Sequence, residues 1–488
     1  MYNVIILAGQ NNPRGSNVGI PLQGPASCAN ALRANGISCL VVNHLPYYDI
    51  NEMNELLDHA VSNETLLIGI STTFLRPSIQ GQLEHTVFQY NLNNSILDKY
   101  NLWEKSFDQS VLFRLKNKFP KLKFIIGGAD VHPDQEYPLL DFMCIGFSEI
   151  SIVNVAKNLL HGTSIPNSYK TVFGTTIVDD REAKSYNFAN TYMHWLPEDV
   201  VTHKKLTIEI GRGCIFNCAF CSYPMRGKNN LDHVKNGSSL ITELKHNYEN
   251  YGITNYVIVD DTFNDSKEKL ENLRDAIKTL DFQPTFWCYA RLDLIATKID
   301  TLDLLYEIGI RSMFFGLESF TRKTGLAVGK GFSSSKLIST INFIKNKYPD
   351  IRLFGNFIVG LPYESIEEVT ETARMLRDGE IHLDSWNFTR LVIKNLNSNR
   401  LWPSSLDKDW QKYGYRKLTE AEGSEIMWEN DHMNIHIANQ LFQEFNSSKW
   451  GQPALQGQPH WFDENEHKST FLPKYKQQLL DIVRSKNT

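Results

Sequence analysis

The sequence predicts an α/β protein of three modules and a connector. These are a Rossmann-like parallel-sheet domain over residues 1–161, a connector over 162–203, a partial (β/α)6 barrel over 204–393 and a helical C-terminal module over 394–488. Three observations predict it. Two separate series of short apolar runs alternate with stretches of helical period. The apolar runs are nearly continuous rather than alternating, the pattern of parallel strands covered by helices on both faces. A length of 488 residues, at about 150 per domain, also leaves room for three cores.

The first series opens with residues 4–7, Val-Ile-Ile-Leu, followed by a Gly/Asn/Pro-rich stretch over 9–24 and a helical pattern over 25–34 that Asn35-Gly36 ends. Further strands are read at 37–42, 67–71, 122–126 and 142–145, and the Asn-, Gln- and Lys-rich 80–118 reads as surface helices between the third and fourth. Loops after parallel strands gather at one edge of a sheet, where a ligand is expected. Here those loops are 11–19, Ser71-Thr72-Thr73, Gly127-Gly128-Ala129-Asp130 and Gly146-Phe147-Ser148-Glu149. Taken singly, a glycine there is more often only a tight turn. Residues 162–203 show little periodicity and hold Pro166, Pro197 and the polar run Asp179-Asp180-Arg181-Glu182, hence a connector.

The second series has strands at 206–210, 256–259, 285–288, 312–315, 353–359 and 384–388, with helices at 240–251, 268–280, 302–308, 334–345 and 366–376. Six such units suggest a barrel whose chemistry sits at the C-terminal ends of its strands. After Lys394 the pattern changes to helices carrying Trp402, Trp410, Tyr413, Tyr415 and Trp428, a module packed on the barrel or over its mouth.

Composition narrows the class. With 42% hydrophobic and 22% charged residues the chain is neither disordered, collagen-like nor coiled coil. Fifty Lys+Arg against 55 Asp+Glu give a net charge of −5, which supplies no bulk attraction to anionic lipid or phosphate backbones and does not favour nucleic acid. Seven cysteines are too few for a disulfide scaffold and suit a reducing compartment. With no run of 18 apolar residues and no basic, signal-like start, a cytoplasmic protein without membrane insertion is expected.

The sharpest chemical signal follows the first strand of the second series. Gly211-Arg212-Gly213-Cys214-Ile215-Phe216-Asn217-Cys218-Ala219-Phe220-Cys221 gathers three cysteines in eight residues. Clustered soft thiolates select zinc, copper or iron-sulfur centres. With His203 or His233 as fourth ligand they would make a structural zinc site; three thiols alone would leave one position of a cluster open.

The Cys-x3-Cys-x2-Cys loop, with aromatic Phe220 before its last cysteine, resembles that of the radical S-adenosylmethionine family. That resemblance implies a 4Fe-4S cluster on Cys214, Cys218 and Cys221 whose open iron chelates S-adenosylmethionine. It also implies reductive cleavage to a 5′-deoxyadenosyl radical and an external electron donor such as flavodoxin or ferredoxin. Other segments agree in chain order: Asp260-Asp261-Thr262-Phe263, Tyr289-Ala290-Arg291, Phe315-Gly316-Leu317-Glu318-Ser319, and the glycine-rich Gly355 to Pro362 with Gly360. By the same resemblance Asp261, Arg291 and Glu318 are candidate catalytic groups. Phe220, Glu243, Gly355, Gly360 and Pro362 are candidate cofactor contacts. Plainer roles compete: Glu243 as a solvated helix residue, Arg291 with Glu318 as an ion pair, Asp260 and Asp261 as helix caps, and Cys288 as a core thiol.

A parallel sheet ahead of such a barrel resembles the family's cobalamin-binding branch. Ser71, Thr73, Gly127, Gly128 and Glu149 would then line the cofactor, with no axial histidine because no Asp-x-His-x-x-Gly follows the first strand. The expected function is a cobalamin-dependent radical methyltransferase acting on an unactivated carbon of a small molecule or peptide. The alternatives are a radical enzyme of cyclisation, rearrangement or alkyl-group transfer, and a non-catalytic cobalamin or iron-sulfur regulator. In the tail, Trp428, His432 and His460 are either packing residues or substrate contacts.

Overall fold

A computed structural model describes residues 1–9, 20–72, 75–77, 83–85, 111–128, 131, 133, 139–181, 186–201, 205–223, 225–227, 233–396, 402–419, 425–450 and 468–486. The chain forms two compact units. The first comprises Met1–Asn187, Met193–His203 and Asn465–Thr488, the second Phe188–Tyr192 and Lys204–Glu464.

The first unit runs β1 (Val4–Leu7), α1 (Gln23–Ala34), β2 (Cys39–Val42), α2 (Ile50–Ala60), β3 (Leu67–Ser71), a short hairpin of β4 (Leu75–Pro77) and β5 (Leu83–His85), α3 (Val111–Lys118), β6 (Lys123–Gly127), β7 (Phe142–Gly146), α4 (Ser148–His161), β8 (Ser168–Lys170) and β9 (Thr176–Asp180). Its seven-stranded sheet has the order β2-β1-β3-β6-β7-β9-β8, parallel except for β8. Every residue of β1 and β2 is buried, so these strands lack polar alternation and read as continuous apolar runs. Val4 and Ile6 pack with Val41, Leu67, Ile125 and Ile152 in one core cluster. Because β2 and β3 flank β1 on opposite sides, strand order reverses at β1/β3, where open α/β sheets bind ligands.

The second unit holds β10 (Lys205–Ile208), α5 (Gly237–Tyr251), β11 (Asn255–Ile258), α6 (Lys267–Ile277), β12 (Thr285–Ala290), α7 (Leu292–Thr297), α8 (Thr301–Ile308), β13 (Ile310–Glu318), α9 (Arg322–Ala327), α10 (Ser334–Lys347), β14 (Arg352–Val359), α11 (Ile366–Arg377) and β15 (Ser385–Arg390). The six strands pair in sequential order and all in parallel, the topology of a (β/α)6 barrel segment. On one face Cys288, Met313, Phe315 and Phe357 are buried to 1% exposure or less, so Cys288 is a core thiol. The other face carries an aromatic layer in register: Tyr289 beside Phe314 (ring centroids 5.1 Å) and Phe314 stacked on Phe354 (4.5 Å), with Asn387 donating to Asn356 (3.0 Å) one step along.

After the barrel come α12 (Ser405–Asp409), the two-stranded β16 (Arg416–Lys417) and β17 (Trp428–Glu429), and α13 (Ile435–Phe445), all in the second unit, and then α14 (Lys468–Ser485).

Two expected boundaries change. The connector over 162–203 holds β8 and β9, which extend the first sheet; its outer strand is exposed and β9 ends in Asp179-Asp180, so both read as polar loop. The separate C-terminal module over 394–488 is not formed, because α14 belongs to the first unit and packs on α2. Tyr475 is buried there and its hydroxyl accepts from the Asn43 amide (3.0 Å), while Lys476 pairs with Glu52 and Arg484 with Glu55 (both 2.5 Å). Residues 11–19, Thr73, Ala129, Asp130, His203 and His460 lie outside the described residues, as do most of 80–118.

Candidate active site

The cysteine loop leaves β10 and is tied down along its whole length. Asp260, at the end of β11, accepts from the Ile210 amide (2.8 Å). Cys214 and Arg226 form a bridge, and the Cys214 amide donates to Met225 (3.1 Å). Gly227 donates to Phe216 (2.8 Å), Ala219 donates to Val328 beyond α9 (3.1 Å), and Leu406 of α12 donates to Ala219 (2.9 Å). Polar backbone in a loop needs partners once water leaves, and here strands, helices and tail all supply them. Asp260 is buried, which pushes its carboxyl up to about 7 against the lowering effect of Lys269 and the Gly211 and Ile210 amides. It anchors the loop rather than capping a helix, since the cap of α6 is Ser266.

Each thiol has its own setting. Cys214 lies 3.3 Å from the Thr262 hydroxyl, and the Phe216 amide donates to its sulfur (3.4 Å). Burial pushes the Cys214 and Cys221 thiols up; the Thr262 and Phe216 groups oppose this at Cys214, and the Tyr223 amide at Cys221. Cys218 is buried and receives a hydrogen bond from Arg291 Nη1 (3.3 Å). Among the described residues no three His, Cys, Asp or Glu side chains converge on one point as the ligands of a single ion would. Three soft thiols on one braced loop are the donor type an iron-sulfur centre takes.

Arg291 stands at the end of β12, its guanidinium 3.8 Å from the Phe216 ring centroid and paired with Asp293 (2.6 Å). Burial works against its charge, but Asp293 and the Cys218 sulfur outweigh it and hold the guanidinium above its usual range. Such a buried cation is tolerable only because it is paired, hydrogen-bonded and stacked. The expected Arg291–Glu318 ion pair is not formed. Glu318 instead pairs with Lys330 (2.8 Å).

Glu318 occupies left-handed backbone, φ 65°, and the Ser319 amide reaches back over it to Leu317 (2.8 Å) in a tight three-residue turn. The β13–β14 register slips at this point. A non-glycine residue held this way costs about 1–3 kcal/mol and persists where its surroundings fix it. Ser319 in turn hydrogen-bonds Glu364, which burial pushes up to about 8 and whose second oxygen has no partner among the described residues. Asp261, next to Asp260, is exposed, and its charge acts on Cys214 and Cys221.

The remaining candidate contacts are each held by neighbours of their own. Glu243 is buried in α5 and pairs with Lys235 (2.5 Å), whose amide donates to Ile210 at the root of the cysteine loop (2.8 Å), so it is not a solvated helix residue. Gly355 faces the covered side of the sheet, where a Cβ would come within 2.6 Å of Leu383, so it is a packing glycine. Gly360 has φ 97° and lies under Trp428, 2.4 Å from where its Cβ would be, while its carbonyl accepts from Tyr415 (2.7 Å). The Pro362 carbonyl accepts from Thr324 (2.9 Å). Trp428 is fully buried and donates to Leu391 (3.2 Å), an architectural role, whereas His432 is exposed. Phe220 lies beside Lys330, whose ammonium is 5.8 Å from the ring centroid.

In the first unit, Ser71 pairs with Gly127, and the Thr72 amide and hydroxyl both donate to the Gly127 carbonyl (2.7 and 3.0 Å). A Cβ on Gly127 would lie 3.2 Å from the Ser148 hydroxyl, and Gly128 has φ 120°. Glu149 is buried in the first turn of α4. These residues sit at the ends of three adjacent strands, β3, β6 and β7, or just beyond them.

Residues 208–376 match the model of the radical SAM superfamily. An uncharacterized methyltransferase of Pyrococcus horikoshii is 28% identical over 209 residues, 41% of this chain and 43% of that protein. The match thus spans less than half of that relative's length. Bacteriochlorophyllide d C-8(2)-methyltransferase of Chlorobaculum tepidum is 22% identical over 368 residues, 71% of this chain and 78% of that one. Among solved structures, the radical S-adenosylmethionine methyltransferase TsrM of Kitasatospora setae, with tryptophan and a cofactor analogue bound, superposes with a TM-score of 0.61 at 15% identity, covering 86% and 79% of the two chains. At that identity the likeness is one of fold. Among the described residues no helix is long and apolar enough to cross a membrane.

Proposed function

We propose, from the premise that residues 208–376 form a radical S-adenosylmethionine domain, that this protein is a cobalamin-dependent radical methyltransferase acting on an unactivated carbon. The observation that carries the reading is the braced three-cysteine loop with Arg291 donating to Cys218. Cys214, Cys218 and Cys221 would hold a 4Fe-4S cluster, and Ser71, Gly127 and Gly128, with Thr72, would face cobalamin. When bound, these groups would supply the electron that cleaves S-adenosylmethionine and the methyl group that is transferred.

The chain's own residues do the rest. Arg291 stabilises negative charge on the Cys218 sulfur, Asp261 and Glu318 offer carboxylates to donor groups of the ligand, and the aromatic layer of Tyr289, Phe314 and Phe354 offers ring surface to a ligand on one face of the barrel sheet. Near the first sheet, glycines with left-handed or close-packed backbone let a broad ligand approach the main chain. The methyl acceptor is a small molecule or peptide, the electron donor a flavodoxin or ferredoxin, and the compartment a reducing cytoplasm.

Anaerobic, reconstituted protein incubated with S-adenosylmethionine and a reductant tests the reading. Deoxyadenosine together with S-adenosylhomocysteine is the expected outcome. Deoxyadenosine alone, with no retained cobalamin, would assign another radical reaction such as cyclisation or rearrangement, and neither product would leave a non-catalytic binding protein.

A further inference from the structure

We infer that Lys330 is a positioning residue for Glu318, and that it sets how firmly the radical domain holds S-adenosylmethionine. The inference rests on the function proposed above. Lys330 lies beyond α9, on the chain that returns past the cysteine loop, and its ammonium donates to the Gly316 carbonyl (2.6 Å) and to Glu318 Oε1 (2.8 Å). Its own amide donates to Gly325 (2.7 Å), which fixes where the side chain starts. Two residues earlier, Val328 accepts from the Ala219 amide (3.1 Å), and a Cβ on Gly329 would lie 3.7 Å from Cys218 Cα. One three-residue segment therefore touches both the cysteine loop by backbone and the carboxylate at the end of β13 by side chain.

The fit around the pair is close. A Cβ at position 316 would fall 2.4 Å from Glu318 Oε1 and 2.8 Å from Lys330 Nζ, so glycine there makes room for the ion pair. The side chains of Lys330 and Glu318 are 15% and 8% exposed, so solvent screens their attraction weakly. Glu318 needs such a partner. Its backbone is left-handed at a register slip, and without a fixed side chain the turn could relax toward ordinary strand geometry and swing the carboxylate away. Lys330 also stands 5.8 Å from the ring centroid of Phe220, the residue before Cys221, so the carboxylate is indexed to the cysteine loop itself.

The test compares Lys330→Met, Lys330→Arg, Glu318→Gln and the Lys330→Met/Glu318→Gln double variant in reconstituted full-length protein. Iron and sulfide content, anaerobic equilibrium binding of S-adenosylmethionine, and the change it induces in the paramagnetic resonance of the reduced cluster are measured for each. Lys330→Met is expected to keep the iron content of the parent, to weaken binding about tenfold, and to add less than twofold on the Glu318→Gln background; Lys330→Arg is expected to recover most of the affinity. Unchanged binding in Lys330→Met overturns the inference. So does equal loss with and without Glu318, or loss of iron in both Lys330 variants, which would make the lysine a strut of the cluster loop. If the parent itself takes up no iron or shows no response to S-adenosylmethionine, the radical reading fails first, and that outcome is distinct from any difference among variants.

Discussion

At the ends of β3 and β6 the first sheet presents hydroxyls, amides and paired glycines. At the ends of β10, β12 and β13 the second presents three thiols, a guanidinium and a carboxylate. Both are loop edges of parallel α/β sheets, yet one is built from backbone and the other from charge. A backbone edge depends on φ and on space, so it answers to added atoms. A charged edge depends on pairing: Arg291 needs Asp293, Glu318 needs Lys330, and Asp260 is held by amides of the loop it anchors. The same topology thus supports two kinds of site with different sensitivities.

The largest effect should come from the charged edge. Cys218→Ala is expected to abolish stable four-iron content and deoxyadenosine formation while leaving cobalamin retention at the parental level; iron, sulfide and bound-cobalamin analysis checks both halves. If cobalamin is lost as well, the two edges are not independent and the contrast breaks.

Next is the backbone edge. Gly128→Val places a branched residue at φ 120°, a strain of at least about 1–2 kcal/mol, and should lower cobalamin retention roughly tenfold with iron content unchanged. Gel filtration of reconstituted protein, with absorption read at the cobalamin and cluster bands, decides it.

Arg291→Gln sharpens the charged side. It removes a charge-assisted hydrogen bond to the Cys218 sulfur, a contact of about 1.5–3 kcal/mol, so a cluster there should be harder to reduce and its midpoint potential more negative in a redox titration. An unchanged potential would mean that Arg291 braces the loop through Phe216 and Asp293 alone.

The smallest effect concerns Glu364. Its carboxyl is pushed from 4.5 up to about 8 in the fold, chiefly by burial, so the folded state binds the extra proton. Its contribution to stability is therefore fully present below about pH 4.5 and is lost as pH rises through about 8. Glu364→Gln should flatten this part of the stability profile, measured by chemical denaturation at several pH values. A profile that stays parallel to the parent's would show that Glu364 does not titrate there.

Much of this was legible in the chain. Strands buried on both faces announce themselves as apolar runs, and three cysteines in one short loop declare their chemistry by covalent spacing alone. Partners brought together by folding left no such mark. Lys330 is far in sequence from Cys218 and sits in an unremarkable Gly-Lys-Gly, so nothing local predicts that it, rather than Arg291, neutralises Glu318. Glu243 looked like a surface helix residue because its partner Lys235 precedes the helix. β8 and β9 were hidden because an edge strand is exposed and polar, the composition of a loop. What the sequence does offer is Gly316, a glycine inside a strand, which often marks a close approach by something else without saying what approaches.

The helix α14 gives the first unit an unusual order of assembly. Asn43 waits for the hydroxyl of Tyr475, and the ring of His44 meets the same tyrosine edge-on (4.8 Å), so this contact of the first unit is made by residues that the ribosome delivers only after the whole of Lys204–Glu464. At about 5–20 residues per second, the intervening unit Lys204–Glu464 takes on the order of 10–50 s to emerge. During that interval the α2 side of the nascent first unit lacks α14. A chaperone or an early-bound ligand would have its greatest influence then, and a ribosome stalled just before α14 emerges would display a second unit synthesised through Glu464 and a first unit still without that helix.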